Sequence, residues 1–218
     1  MKRVLALVEG QTEERFVKDV LAPHLLALEV SLTPTIATTK RVKRGAVFQG
    51  GITDYQKVER DVKRLLGDSG VVAVTTFIDY YGLPSDFPGM ESRLAGSPVH
   101  RAQHVEIQWK SQIGDRRFRP YLMVHEFEAL LFCKPEAIGV ALNMPAAGQT
   151  LTRVRESFST PEEINDNPES APSKRIMHTC PSYQKVVHGP LVAQRIGLTA
   201  IRQQCAHFDD WVKWLESL

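Results

Sequence analysis

Glu9 and Asp79 are the residues whose types and settings most plainly allow chemistry. Arg3-Val4-Leu5-Ala6-Leu7-Val8 is an apolar run that ends in Glu9-Gly10, and Val71 to Ile78 is a second that ends in Asp79. A buried strand that delivers a carboxylate at its C-terminal end, followed by a glycine turn, is a common way for an α/β enzyme to present a metal ligand or an acid/base group. Two such strands in parallel bring their acids to one sheet edge. Hard oxygen donors gathered there suit Mg²⁺ (or Mn²⁺) and phosphodiester chemistry. Each acid also has a plainer reading. Glu9 could accept from backbone N–H groups of its turn, and Asp79 could cap the turn at Tyr80-Tyr81-Gly82.

A third group, His125-Glu126-Phe127-Glu128, follows Tyr121-Leu122-Met123-Val124, a further strand candidate. In an extended chain Glu126 and Glu128 point to the same side; in a helix they diverge. The plainer reading makes Phe127, Leu130 and Leu131 core and leaves the acids solvated. The segment lacks the second His of a zinc protease motif. Two cationic stretches could meet phosphate oxygens: Lys40-Arg41-Val42-Lys43-Arg44, and Lys174-Arg175 at the start of a helix opened by Pro172. Charge runs in loops are otherwise simply solvated. A serine nucleophile elbow, a P-loop and a dinucleotide-binding glycine fingerprint are absent, which weighs against those enzyme classes.

The elements that must position these residues follow from periodicity. Thr12 is placed to cap a helix with Glu13 and Glu14 in its first turn, and Phe16, Val17, Val20, Leu21, Leu25 and Leu28 continue it, bent or shortened by Pro23. Leu32–Thr39 reads as a strand, 54–66 as an amphipathic helix, 80–89 as irregular and 99–113 as a polar helix. From about Pro135 onward the pattern is mainly helical, interrupted by a loop at 165–169. Alternating strands and helices over residues 1–133 predict an α/β parallel, doubly wound sheet of about four strands with flanking helices. Residues 134–218 form a helical C-terminal subdomain packed on it as a cap.

Composition narrows the class. The chain has 218 residues, 43% of them apolar, and a net charge of +2, so bulk charge argues for no nucleic-acid partner and a local patch has to. Three scattered cysteines fit a reducing compartment and show no zinc spacing. Glu9 interrupts the N-terminal apolar run, so neither a signal peptide nor a membrane span is expected, and the protein reads as cytoplasmic.

With these motifs in view, the chain resembles a Toprim-like family still labelled as a domain of unknown function (number 4276). The resemblance rests on Val8-Glu9-Gly10-Gln11-Thr12-Glu13-Glu14, Phe77-Ile78-Asp79-Tyr80-Tyr81-Gly82-Leu83-Pro84, His125 to Phe132, and Ala171-Pro172-Ser173-Lys174-Arg175. The superfamily includes topoisomerases, primases and nucleases of the overcoming-lysogenization-defect type. It implies a Toprim (Rossmann-like) sheet, with a Glu after the first strand and an Asp-x-Asp after the third holding Mg²⁺. Glu9 and Asp79 match; Tyr81 stands where the second Asp belongs, so Glu126, Glu128 or Asp86 would have to complete the set. The resemblance implies a lysine near the scissile phosphate, similar in kind to Lys174, and an ATPase partner of the sort found in phage-defence or mobile-element gene clusters. It points to a metal-dependent nuclease for DNA or RNA, with the alternative of an inactive Toprim-fold binding or regulatory subunit.

Overall fold

The computed structural model describes residues 1–38, 52, 54–92, 95–164 and 169–218. Four parallel strand positions form the sheet. β1 (Lys2–Val8) lies between β2 (Val30–Ile36) and β3 (Ala73–Asp79), and the far edge of β3 is shared by two short strands, β4 (Phe118–Arg119) and β5 (Leu122–Met123). Pro120, which has no N–H to donate, separates the two short strands. Threonines of β3 stitch the gap: Thr75 Oγ1 donates to the Arg119 carbonyl at 2.7 Å, and Thr76 Oγ1 to the Tyr121 carbonyl at 2.8 Å.

The chain leaves β1 for β2 on one side and reaches β3 on the other. The strand order therefore reverses between β1 and β3, and in open parallel sheets that reversal opens a crevice at the carboxyl ends. Glu9 and Asp79 sit at those two ends.

Side-chain alternation divides the apolar residues into two layers. Val4, Ala6, Val8, Ala73 and Phe77 face one core; Leu7, Val74 and Ile78 face the other. The second core is closed by α3 (Tyr55–Leu66), capped by Asp54, and by α4 (Pro98–Ile113), capped by Ser97. Between β1 and β2 the helix starts as α1 (Gln11–Phe16), widens into a π turn at Val17–Leu21 and resumes as α2 (Ala22–Leu26). Pro23 is the cause at hand: it cannot donate to the fourth preceding carbonyl and its ring crowds it, and a wider turn accommodates both.

After β5 come a 3₁₀ segment (Phe127–Cys133), α5 (Glu136–Ala141), α6 (Pro145–Glu156), α7 (Pro172–Thr179), α8 (Lys185–Ile196), α9 (Leu198–Gln204) and α10 (Ala206–Ser217). These helices share the first core with the sheet. Trp211 of α10 stacks on Phe77 and Tyr121 at 5.4 and 4.5 Å, and its indole N–H donates to Thr75 at 2.9 Å. No helix among the described residues is long and apolar enough to cross a membrane.

Several boundaries differ from the sequence reading; β3, for one, runs from Ala73 to Asp79 rather than from Val71 to Ile78. β2 begins at Val30 and ends at Ile36, and Thr39 lies outside the described residues. Thr12 is buried inside α1, and the N-cap position falls instead at Gly10, toward which the Glu13 carboxylate reaches back from the third helical position in the manner of a capping box.

Candidate functional site

The carboxyl edge of the sheet carries five acids around one ammonium group. Glu9 extends β1 by one residue, its N–H bonded to the Phe77 carbonyl, and its Oε2 accepts from the backbone N–H of Asp79 at 3.1 Å. Asp79 Oδ1 accepts in turn from the N–H of Phe127 at 3.1 Å, tying the end of β3 to the segment after β5. Beyond their formal ends the two strands stay paired: Tyr80 N–H donates to the Met123 carbonyl at 2.8 Å and Tyr81 N–H to the His125 carbonyl at 2.9 Å.

Glu126 is still extended and Glu128 lies in the first turn of the 3₁₀ segment, yet both reach the same cation. Lys185 Nζ stands 3.1 Å from Glu126 and 3.3 Å from Glu128. The change from strand to tight turn between the two acids lets them converge where a regular α-helix would have parted them. Glu126 also accepts from both the N–H and the hydroxyl of Ser173, at the positive end of α7. Glu128 accepts from the Tyr183 hydroxyl at 3.3 Å. Glu13 completes the group from α1.

Glu126 and Glu128 are only 6% and 1% exposed, so their charges are largely removed from water. Burial, with the Asp79 N–H and Lys185 pulling the other way, pushes the Glu9 carboxyl up to about 7. Burial and the neighbouring Glu9 raise Glu13 to about 7 as well. Glu128 also rises to about 7, through burial opposed in part by Lys185. Asp79 is held well above the usual carboxylate range by burial and by repulsion from Glu9, Glu13, Glu126 and Glu128. Burial alone would depress the Lys185 amine, but Glu128, Glu126 and Asp79 outweigh it and hold it protonated. Among the described residues one ammonium faces five carboxyl groups, and the raised values mean that part of the group is protonated near neutral pH, protons that a bound cation would displace.

His125, immediately before Glu126, has a positive φ of 68° and is 1% exposed. A non-glycine residue held in the left-handed region marks a backbone over-determined by its surroundings, and such positions gather at functional sites.

Lys174 is exposed, and the contacts of the acid cluster go instead to its neighbour Ser173 and to Lys185. Arg175 is tied locally, donating to the Ser170 carbonyl at 2.7 Å and lying 5.6 Å over the Phe158 ring. Asp86 is exposed on the loop after β3, and the acids that raise Asp79 do not include it. Lys40, Arg41, Lys43 and Arg44 lie outside the described residues. Sequence reasoning missed Lys185 and Glu13. Glu13 was visible as the third residue after a capping glycine, whereas Lys185 opens a helix about sixty residues downstream with no local mark of its partners.

The family model for a domain of unknown function (DUF4276) matches residues 8–216. The chain belongs to this family. The match begins just before Glu9 and takes in every residue of the cluster. No curated protein and no solved structure matches the chain.

In this structure Glu9, Asp79, Glu126 and Glu128 are each turned to protein donors. Among the described residues no three His, Cys, Asp or Glu side chains converge tightly enough to hold a metal ion. The donor set fits a hard divalent cation in kind, being all carboxyl oxygen. Coordination would require Glu9 and Asp79 to turn from the backbone N–H groups they now accept.

Proposed function

We propose that this chain is a Toprim-type nuclease that hydrolyses phosphodiester bonds of DNA or RNA with Mg²⁺ or Mn²⁺. The observation that carries the reading is the crowding of buried carboxyl groups at the sheet's switch point: among the described residues five of them surround a single lysine, three raised to about 7 and Asp79 well above its usual range. Clustered carboxylates with raised pKa values are costly to maintain for stability alone, and such perturbation concentrates at functional sites.

Glu9 and Asp79, with Glu126 or Glu128, are the residues that would hold the metal. When bound, a divalent ion there supplies an activated water and stabilises charge on the leaving oxygen. Ser173 fixes the orientation of Glu126 through two hydrogen bonds. Lys185 keeps its positive charge beside the acids and is the cation best placed to meet a phosphate oxygen, the part the Toprim resemblance assigned to Lys174. Lys174, Arg175 and the Lys40–Arg44 run are proposed contacts for the nucleic-acid backbone. An ATPase partner, in phage defence or a mobile element, follows from the resemblance alone.

Two observations favour a second reading, a Toprim-fold binding or regulatory subunit of an ATPase complex that has lost catalysis. Tyr81 replaces the second Asp, and Lys185 already neutralises part of the acid group. Cleavage by purified variants separates the readings. Glu9→Gln and Asp79→Asn should keep a wild-type circular dichroism spectrum while losing divalent-dependent cleavage of labelled DNA and RNA by about a hundredfold or more. Undiminished cleavage by both variants would remove the catalytic assignment.

A further inference from the structure

Beside the acid cluster lies a cavity of about 400 Å³ lined by Tyr80, Tyr81, Leu83, Met90, Glu91 and Arg101, with Gly82, Ser85 and His125 completing it. Along the chain its lining adjoins the cluster at two points. Tyr80 follows Asp79 directly, and His125 directly precedes Glu126. The hydrogen bonds from Tyr80 and Tyr81 to the Met123 and His125 carbonyls lock these two segments side by side. The cavity and the acids therefore share the carboxyl edge of β3, although none of the five acids lines the cavity.

The lining chemistry distinguishes among occupants. A free phosphate calls for donors alone, and Glu91 would repel it. The lining instead combines Arg101 as donor, Glu91 as acceptor and Ser85 as either, with flat or apolar surface from Tyr80, Tyr81, Leu83 and Met90. The edge of a nucleobase presents donors and acceptors together, and its face stacks on aromatic rings. Tyr81 is 40% exposed, which leaves part of its ring surface accessible to a stacked base. The volume lies in the range of small-ligand pockets, about 300–1,000 Å³. A base stacked within a duplex cannot enter such a pocket; it must be unpaired or flipped out.

We infer that this cavity receives one unpaired base, so that single-stranded nucleic acid, or a frayed or unpaired stretch, is the substrate class. The inference rests on the nuclease reading above and names the form of substrate which that reading leaves open. It also gives Tyr81 a task in the place where the resemblance called for an acid.

The test separates binding from cleavage. The full chain is titrated in EDTA, at fixed salt, into a fluorescein-labelled oligonucleotide as single strand and as blunt duplex, with anisotropy as the readout. Tyr81→Ala removes the platform and Ser85→Trp fills the cavity from an exposed rim position, so neither disturbs a core. The expected result is tighter binding of the single strand by the wild type. Each variant should lose about tenfold in single-strand affinity with duplex affinity unchanged. Equal binding of the two forms, no binding of either, or single-strand affinity unchanged in both variants would overturn the inference. Divalent-dependent cleavage by Glu9→Gln and Asp79→Asn is scored separately, so failure of the metal site leaves a distinct signature from failure of the base pocket.

Discussion

Lys185 sets the charge balance of the cluster, and its removal separates structural from catalytic roles at the scale of single residues. Its ammonium serves Glu126 and Glu128, which are almost fully buried, while its own side chain is 43% exposed. Lys185→Met should therefore destabilise the protein by about 1–3 kcal/mol, less than a fully buried pair would, because water screens the exposed side of the lysine. If the acids hold a divalent cation, added Mg²⁺ should raise the melting temperature of this variant more than that of the wild type, since the metal takes over the missing charge. Equal Mg²⁺ shifts in the two proteins would argue that the acids bind no metal. Lys174→Ala, at an exposed position, should change stability by no more than about 0.5 kcal/mol. The acids at strand ends were readable from sequence because β1 and β3 are apolar runs that stop abruptly at Glu9 and Asp79. Their cation was not, since an ion pair spanning about sixty residues leaves no periodicity.

At the scale of elements, α8 is held close to α1 and the 3₁₀ segment by Gly189, one helical turn beyond Lys185. A Cβ there would stand 3.1 Å from the Phe127 ring, 3.2 Å from the Thr12 methyl and 3.2 Å from the Tyr183 hydroxyl. Gly189→Val should cost about 1–3 kcal/mol by overpacking and push the start of α8 away from the acids. Urea titration reads the first effect and loss of nucleic-acid affinity the second; a variant as stable as wild type would show that the contact yields freely.

The N-terminus of α10 supplies a pH-dependent element. His207 is buried, stacks on Tyr121 at 5.0 Å and bonds Glu106 at 2.9 Å, while Glu162 accepts the N–H groups of His207 and Phe208. Burial alone would lower the His207 pKa, but Glu106 outweighs it and the net shift from 6.5 is upward. A histidine raised on folding contributes stability that is fully present below about 6.5 and is lost as pH rises through the folded pKa. Subtracting the stability-pH profile of Glu106→Gln from that of wild type should isolate this decline. A flat difference would remove His207 as its source. Helix positions were readable here from apolar spacing, as for α3, whereas the π turn before Pro23 and the strand broken at Pro120 depend on how neighbours satisfy groups that proline leaves unpaired.

For the molecule as a whole, the first core runs from Val4 on β1 to Leu215 on α10, so the C-terminal helices and the sheet bury one another. A fragment ending at residue 133 would expose Phe77 and Tyr121, on which Trp211 stacks. It should lack a cooperative thermal transition, whereas the full chain should show a single one. A fragment that melts cooperatively would establish an independent α/β domain. The parallel α/β class was readable from the alternation of elements. A helical cap with its Lys174-Arg175 end over the acids was expected too, but not which residues meet the acids, Ser173 and Lys185, because amphipathic helices declare an apolar face and not their polar partners. The central question is whether the acid cluster is a divalent-cation site, and calorimetric titration of Mg²⁺ and Mn²⁺ into the full chain tests that directly. Saturable binding by the wild type that disappears in Glu9→Gln is the predicted result; no binding even with nucleic acid present, or binding unchanged in Glu9→Gln, would contradict it.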